Sequence, residues 1–514
     1  MGLTPKVTLA TCNSKSMKYI LTYLFFHFAE LACFSQTPTI QWQKSFGGSL
    51  YDKAETMVEL RDGGYVIGGN SQSNDHDLTV NLGFYDCWVI KLNNSGNLVW
   101  KKSFGGSGYD YLKTVIQTPD NGILCIGETN STNGNVTNYF GQIDFWVIKL
   151  NSNGNIEWQK NYGGDSNDMG YSVCLTVDGA YIIAGQSESN VEENHGLMDY
   201  WVLKIDNLGN IIWKKAYGGS QDDFLKTIKN TSDGGYILTG NSKSSNGDVG
   251  FNKGLLDVWV VKIDDAGNLQ WQNSFGGSQD DFSTSVMEDA NGNFVLVGET
   301  YSFDNDANDN HSFYGFRDFF VIKINSQGQK IWSKCYGGED NEYARSVCQN
   351  NSGEYVIVGE TYSITGQPTN NHGSADYWLI KTNSSDGSLL WQKTYGGQGH
   401  DEPNSMLVTF DNNYIVAGNA APPIGIGDVT QNYGDDDFWI IKLKNEECQN
   451  SLTLTKDIPL GSHEFKALEN ITSQSKLLNN TSNIIYSTGK SITLTPGFKT
   501  SIGVVFEAKI DGCN

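Results

Sequence analysis

Apolar and polar positions alternate along this chain in short runs, broken by turns of Gly, Asn and Asp, which is the periodicity of strands. Residues 113–118 form one such run and lead into the turn Asp120-Asn121-Gly122. A second run, rich in β-formers, spans 123–129. A variable stretch follows to residue 143. The runs 145–150 and 156–162 then flank a Gly-containing turn at 151–155. Asn-Gly and Asp-Gly supply the positive φ that tight hairpins need, and Asp62-Gly63, Asp178-Gly179, Asp233-Gly234 and Asn291-Gly292 keep that chemistry elsewhere. The pattern predicts a four-stranded antiparallel meander, the unit of a propeller blade.

The unit recurs seven times. Trp42, Trp100, Trp158, Trp213, Trp271, Trp332 and Trp391 each precede an aromatic-Gly-Gly, at spacings of 55 to 61 residues. A second word, Asp-x-Trp followed by two aliphatics and Lys, starts at Asp86, Asp144, Asp199, Asp257, Asp318, Asp376 and Asp437, with Phe320 replacing Trp in the fifth copy. A period this long with strand-like units means a propeller or an array. Closure separates the two. The Trp42 run, 39–46, has no three strands before it, and the last copy ends near Leu443 with no Trp strand after it. The orphan strand completes the incomplete blade and removes two exposed edges. The expectation is an all-β chain: a seven-bladed propeller over 38–446, closed by its N-terminal strand, with a small β module over 447–514.

Composition agrees with this architecture. The 514 residues include 58 Gly, only 9 Pro and 12% aromatics, suiting many short strands and tight turns. The formal charge of −23 is spread along the chain, and an acidic surface repels phosphate backbones, so nucleic acid is not an expected partner.

The N-terminus reads as an export signal over residues 1–36. Met17 and Lys18 open a charged start and 19–28 is apolar. Cys33-Phe34-Ser35 offers small residues for cleavage after Ser35 or Gln36. The true start predicted by this pattern is Met17. His27 and Glu30 interrupt the apolar run too early for a membrane span, and no other segment supplies one. A lipid on Cys33 is disfavoured because Glu30 stands where a lipobox wants Leu. The expected location is secreted or cell-surface. No C-x-x-C occurs among the nine cysteines, so a zinc ribbon is unsupported, and Cys448 with Cys513 brackets the C-terminal module as a candidate disulfide that export would permit.

The segment Lys-Leu-Asn-Asn-Ser-Gly-Asn-Leu-Val-Trp at 91–100 resembles the turn-plus-Trp element of quinoprotein-type propellers. The whole repeat over about 38–446 more closely resembles secreted repeat propeller proteins of gliding, type IX-secreting bacteria. The tail, with Ser491-Ile492-Thr493-Leu494-Thr495-Pro496-Gly497-Phe498, Phe506-Glu507-Ala508-Lys509-Ile510 and Cys513, resembles their three-coathanger stack domain. A type IX sorting domain is not recognisable at the end of the chain. The resemblance implies export and supplies no catalytic residues.

Because an asymmetric ligand needs an asymmetric site, features repeated in every blade are assigned first to the scaffold. The Asp-x-Trp acids and the strand lysines Lys91, Lys149, Lys204, Lys262, Lys323, Lys381 and Lys442 fall in that class. Asp52, Asp110, Asp168, Asp223, Asp281, Glu342 and Asp401 lie four residues beyond each glycine pair, where the innermost strands begin. Two readings of this ring are open: oxygen ligands for Ca²⁺, or capping of the turn by the Asp side chain. The Asp/Asn-rich run 304–310 is calcium-like but lacks the Gly and terminal Glu of an EF-hand.

The parts that do not repeat are the loops between second and third strands, at 71–85, 130–143, 187–198, 242–256, 301–317, 362–375 and 419–436. They carry His76, His195, His311 and His372, with His400 on the same face, and the aromatics Tyr139, Phe140, Phe251, Phe313, Tyr314 and Phe316. These are candidate binding-face residues, since loops on a rigid scaffold carry recognition and aromatics supply contact area at small entropic cost. Solvated loop histidines and rings packed on the blades are the alternatives. No Gly-x-Ser-x-Gly, His-Glu-x-x-His or P-loop occurs. The expected function is non-catalytic binding of an extracellular glycan or protein partner. A polysaccharide-active or quinoprotein-like enzyme and a structural adhesin component are the alternatives.

Overall fold

The computed structural model describes residues 37–445 apart from 79, 192–193 and 312–314, and beyond 448 the backbone of the strands between 449 and 509. Seven four-stranded antiparallel sheets follow one another around a ring, and no helix is present among the described residues. The innermost strands are Asp52–Glu59, Asp110–Gln117, Asp168–Leu175, Asp223–Asn230, Asp281–Glu288, Glu342–Gln349 and Asp401–Val408, opening blades 1 to 7 in that order. Thr39–Phe46 pairs antiparallel with Asp437–Lys444 and forms the outermost strand of blade 7, so the N-terminal strand closes the ring.

The core lies between blades. Each of seven buried clusters joins side chains from two adjacent blades; the closing one sets Met57, Ile67 and Trp88 of blade 1 against Phe46, Ile415, Phe438 and Ile440 of blade 7. This explains why the second and third strands are buried along their whole length rather than at alternate positions: both faces of each sheet are covered by a neighbour. The repeated lysines are scaffold. Lys149, Lys262 and Lys442 are buried and reach acids of the turn between first and second strands, at 2.9 Å (Asp120), 3.0 Å (Asp233) and 2.9 Å (Asp411).

The ends of the innermost strand differ from the sequence reading. The strand begins at Asp110, three residues before the expected 113, because the acid at its first position ties the strand to the preceding turn. Every first-to-second strand pairing also contains a one-residue β-bulge, between Ala54 and Thr56 in blade 1 and at the equivalent point in the other six.

Beyond residue 448 the pairing changes from antiparallel to parallel. Ser462–Ser473 lies between Gln449–Leu454 on one side and Asn483–Thr488 and Ser491–Leu494 on the other. Val505–Lys509 adds to Asn483–Thr488, again in parallel. Parallel pairing of consecutive short strands without helices is a coiled stack rather than another blade. Residues 1–36, with the expected signal segment, and Cys448 and Cys513 lie outside the described residues.

Candidate functional site

The seven acids at the heads of the innermost strands do not converge. Each is buried in its own blade. Asp110 accepts from the Gly106 N–H at 2.7 Å, from Ser131 Oγ at 2.8 Å and from Thr129 Oγ1. Asp52, Asp168 and Asp281 repeat the arrangement with a glycine N–H and two hydroxyls. Asp223 accepts from Gly219 N–H and Ser244, Glu342 from Gly338 N–H and Thr361, and Asp401 from Gly397 N–H. The ring is therefore a set of turn caps. Among the described residues, no group of three or more His, Cys, Asp or Glu side chains is arranged to hold a metal ion.

The histidines are also dispersed. His195, His311 and His372 set Nδ1 at 3.4, 3.2 and 2.7 Å from the Asp-x-Trp acid of their own blades, so they cap that acid. His76 packs beside Tyr433 with ring centroids 5.4 Å apart. Tyr139 bonds the carbonyl of Gln142, and Phe316 is half-buried. Phe140 and Phe251 are exposed, in different blades. Phe313 and Tyr314 lie outside the described residues. Only His400 of the five reaches a shared centre: its Nε2 is 2.7 Å from Tyr362 Oη and 3.6 Å from Glu360 Oε2.

That centre is the channel along the propeller axis, and the bulges build it. The extra residue of each bulge is Glu55, Lys113, Tyr171, Lys226, Thr284, Arg345 or Asn404. A bulge bends its strand and re-aims one side chain. Here a sevenfold backbone device presents seven positions occupied by six different residue types. Two residues earlier, nearer the loop face, stand Lys53, Tyr111, Met169, Phe224, Phe282, Tyr343 and Glu402. Asn70, Glu128, Gln186, Asn241, Glu299, Glu360 and Asn419 pair with these from the second strands.

Contacts between blades show that these groups meet. Lys53 of blade 1 reaches Glu402 of blade 7 at 2.8 Å, and Arg345 of blade 6 bridges Glu360 at 2.8 Å and Glu402 at 3.1 Å. Arg317 pairs with Glu299 at 3.3 Å and lies over the rings of Tyr301, Phe282 and Tyr343 at 4.4, 4.9 and 5.1 Å. Lys113 of blade 2 and Lys226 of blade 4 flank the Tyr171 ring of blade 3 at 5.9 and 5.3 Å. Lys226 also feels Arg345, two blades away in blade 6.

Electrostatics single out two features. Burial holds Lys226 below the ordinary lysine value; Glu299 opposes that push, Lys113 and Arg345 add to it, and Glu128 opposes it least. Burial raises Glu360, while at Glu402 the cations Arg345 and Lys53 overcome burial and hold the carboxyl low. Several polar atoms here are buried with no hydrogen-bond partner: Oε2 of Glu128, Glu299 and Glu360, Oε1 of Gln186, and Nε of Arg317 and Arg345. Unpaired buried polar atoms are costly, and these share that state with the Asp Oδ1 atoms buried at the blade junctions, such as those of Asp86, Asp257 and Asp437. By contrast, a cleft of about 330 Å³ between the turns of blades 3 and 4, on the opposite face, has its polar groups committed: Asp178 and Asp265 hold Lys204, and Tyr236 bonds Asp265.

The channel residues were missed in the sequence because they sit inside strands, where variation reads as packing. The signal was present: the positions one and three after the head acid vary in chemistry within an otherwise constant repeat.

No family model matches the chain. A regulatory protein, FlaEY of Caulobacter vibrioides, is 24% identical over 206 residues, covering 37% of this chain and 20% of that protein. The chain thus spans about a fifth of the length of the curated relative it matches. Among solved structures, a fungal alcohol oxidase of the AA5 family in complex with copper aligns at 11% identity and TM-score 0.44, covering 82% of each chain. The quinohemoprotein alcohol dehydrogenase from Comamonas testosteroni aligns at 10% and 0.39, covering 79% of this chain and 76% of that one. A protein titled as a putative gluconolactonase aligns at 9% and 0.33, covering 62% and 89%. Likenesses at this level carry no activity across.

Proposed function

We propose that this chain is an exported binding protein whose ligand, a glycan, seats at the loop-face mouth of the central channel. The observation that carries the reading is the bulge layer: a sevenfold scaffold presents an asymmetric set of charges and rings, with buried polar atoms left unpartnered beside it. Rings at the mouth suit sugar faces. Phe84 and Tyr109 stack at 4.9 Å with planes 13° apart, and Tyr109 lies 6.0 Å from Tyr111. Aromatic faces beside hydrogen-bonding groups are a carbohydrate-binding combination. Export rests on the signal-like segment 1–36, and the resemblance to secreted propellers of type IX-secreting bacteria supports it. A glycan array probed with the full chain tests the reading. Selective binding that is lost in Tyr109→Ala/Tyr111→Ala supports it; selective binding unchanged in that variant contradicts it.

One observation favours an enzyme at the same mouth. Glu360 and Glu402 share Arg345, yet their carboxyls are pushed in opposite directions, the arrangement that separates an acid from a base. Reducing-end or unsaturated-product assays on whichever glycan binds decide between the readings. Turnover abolished by Glu360→Gln favours the enzyme.

A further inference from the structure

We propose that Lys226 and Lys229, successive lysines of the blade 4 inner strand, form an anion subsite within the channel that takes the carboxylate or sulfate groups of an acidic glycan. The inference rests on the channel being the ligand site and names the class of ligand.

The argument begins with charge pairing. Lys53, Lys113, Arg317 and Arg345 each have a carboxylate within 4 Å, as do the scaffold lysines Lys149, Lys204, Lys262 and Lys442. Lys226 has the Tyr171 ring and, among the described residues, no carboxylate within 4 Å, Glu299 and Glu128 acting on it only at longer range. Lys229 has no hydrogen-bond, ion-pair or ring partner among the described residues. In a protein of net charge −23, two lysines of one inner strand thus stand without a carboxylate partner among the described residues.

Their setting points inward. Lys226 is the bulged residue of its strand, and Lys229 lies three residues further from the loop face, about 10 Å along the strand. At the level of Lys229 the other blades present Val58, Ile116, Cys174, Met287, Cys348 and Leu407, all apolar or thiol. Among the described residues, Lys229 is thus the one charge at this position of the seven inner strands, where the other six side chains pack on the cores between blades. Both lysines keep solvent access while protein surrounds them. An ammonium facing channel water between weakly polar walls attracts an anion more strongly than one on an open surface, because fewer water dipoles and ions screen it. The Tyr171 ring stands alongside Lys226, and the Tyr111 ring lies one layer nearer the loop face, beside Lys113. Ring-shaped, hydroxylated units bearing a negative charge fit this alternation better than an acidic peptide, which offers no such faces.

The test is calorimetry of the full chain with four probes: an oligogalacturonate, a sulfated galactan oligosaccharide, a neutral cello-oligosaccharide and oligoglutamate. The expected result is that one of the acidic saccharides binds best, that its affinity falls as salt rises from about 0.05 to 0.5 M, and that Lys226→Gln/Lys229→Gln weakens it roughly tenfold or more. Preference for the carboxylate or the sulfate probe identifies the source of the anion. The single variants, and the salt series on the parent, serve if the double variant melts early. Neutral and acidic saccharides binding equally, with no salt dependence, would overturn the anion subsite while leaving the channel as a glycan site. Oligoglutamate binding best would overturn the ligand class. No saccharide binding at all would overturn both.

Discussion

The free Oδ1 of Asp437 and Oδ2 of Asp52 both crowd the place where a β-carbon would stand on Gly47, so that a side chain there would overlap both. The two carboxylates come from blades 7 and 1, so they face each other across the seam that closes the ring. The same pairing recurs at every junction, with Asp86 and Asp110 about Gly105, and Asp257 and Asp281 about Gly276. Asp437 is pushed up to about 7 by burial and then by Asp52, and burial carries Asp52 to about 6 against the hydrogen bonds it accepts.

These shifts fix the pH dependence of stability. A carboxyl that holds its proton more tightly when folded makes the folded state bind more protons between the unfolded value of 3.8 and the folded value. Stability therefore falls as pH rises through about 4 to 7. Asp257, Asp281, Glu342 and Asp401 act in the same direction, at about 7, 6, 7 and 7. Asp120 and Asp233, held at about 2, oppose it only at lower pH, where their bonds to Thr118, Lys149, Thr231 and Lys262 are lost. Calorimetry should give a Tm higher by a few degrees or more at pH 5.5 than at pH 8.5, and Asp437→Asn should flatten that slope. A Tm that rises from pH 5.5 to 8.5 contradicts the junction account.

Gly105 should be intolerant of any side chain. A Cβ there would overlap Asp86 Oδ1 and meet Asp110 Oδ2 at 2.7 Å, both on buried residues that cannot swing away. Gly105→Ala should cost about 2 kcal/mol or more in urea unfolding. Gly179→Ala, with positive φ but open space around it, should cost only about 1 kcal/mol. Equal costs at the two positions argue against a packed carboxylate pair.

Removal of Thr39–Phe46 should open the ring. The strand contributes Phe46 to a buried cluster and covers the edge of Asp437–Lys444. The deletion should lower Tm sharply or drive aggregation through the exposed edge. A deletion variant with the parent's Tm in a thermal melt excludes this closure as a source of stability.

The scaffold was legible because its determinants repeat. Trp158, Gly163, Asp144 and the hairpin Asp-Gly pairs recur at one period, and the orphan Trp42 strand gave the closure. The site was largely hidden. His195, His311 and His372 looked like loop chemistry, yet each caps an acid in its own blade, a role set by local backbone geometry. Lys226 looked like a strand residue, and only the bulge that turns it into the channel gives it a different environment. Bulges leave no single-residue signature, so strand alternation alone does not show which of these residues turn into the channel.

The loop 301–317 should matter through residues that reach the channel. Arg317 packs over Tyr301, Phe282 and Tyr343 and holds Glu299. Replacing the loop with a Gly/Ser linker should weaken glycan binding by roughly tenfold, since a buried charge pair and its ring contacts go with it. Changes in the turn 93–96 on the opposite face should leave affinity unaltered. The reverse pattern in calorimetry would move the site to the turn face.

The central claim is that the channel, rather than the exposed loop tips, holds the ligand. Calorimetric titration of the best-binding glycan against Tyr171→Ala and against Phe140→Ala/Phe251→Ala tests it most directly. Tyr171 lies inside the channel between Lys113 and Lys226, whereas Phe140 and Phe251 are exposed on the loops. The account predicts that Tyr171→Ala lowers affinity by roughly tenfold while the loop variant binds as the parent does. Parent-like affinity in Tyr171→Ala, with binding lost in the loop variant, would contradict it.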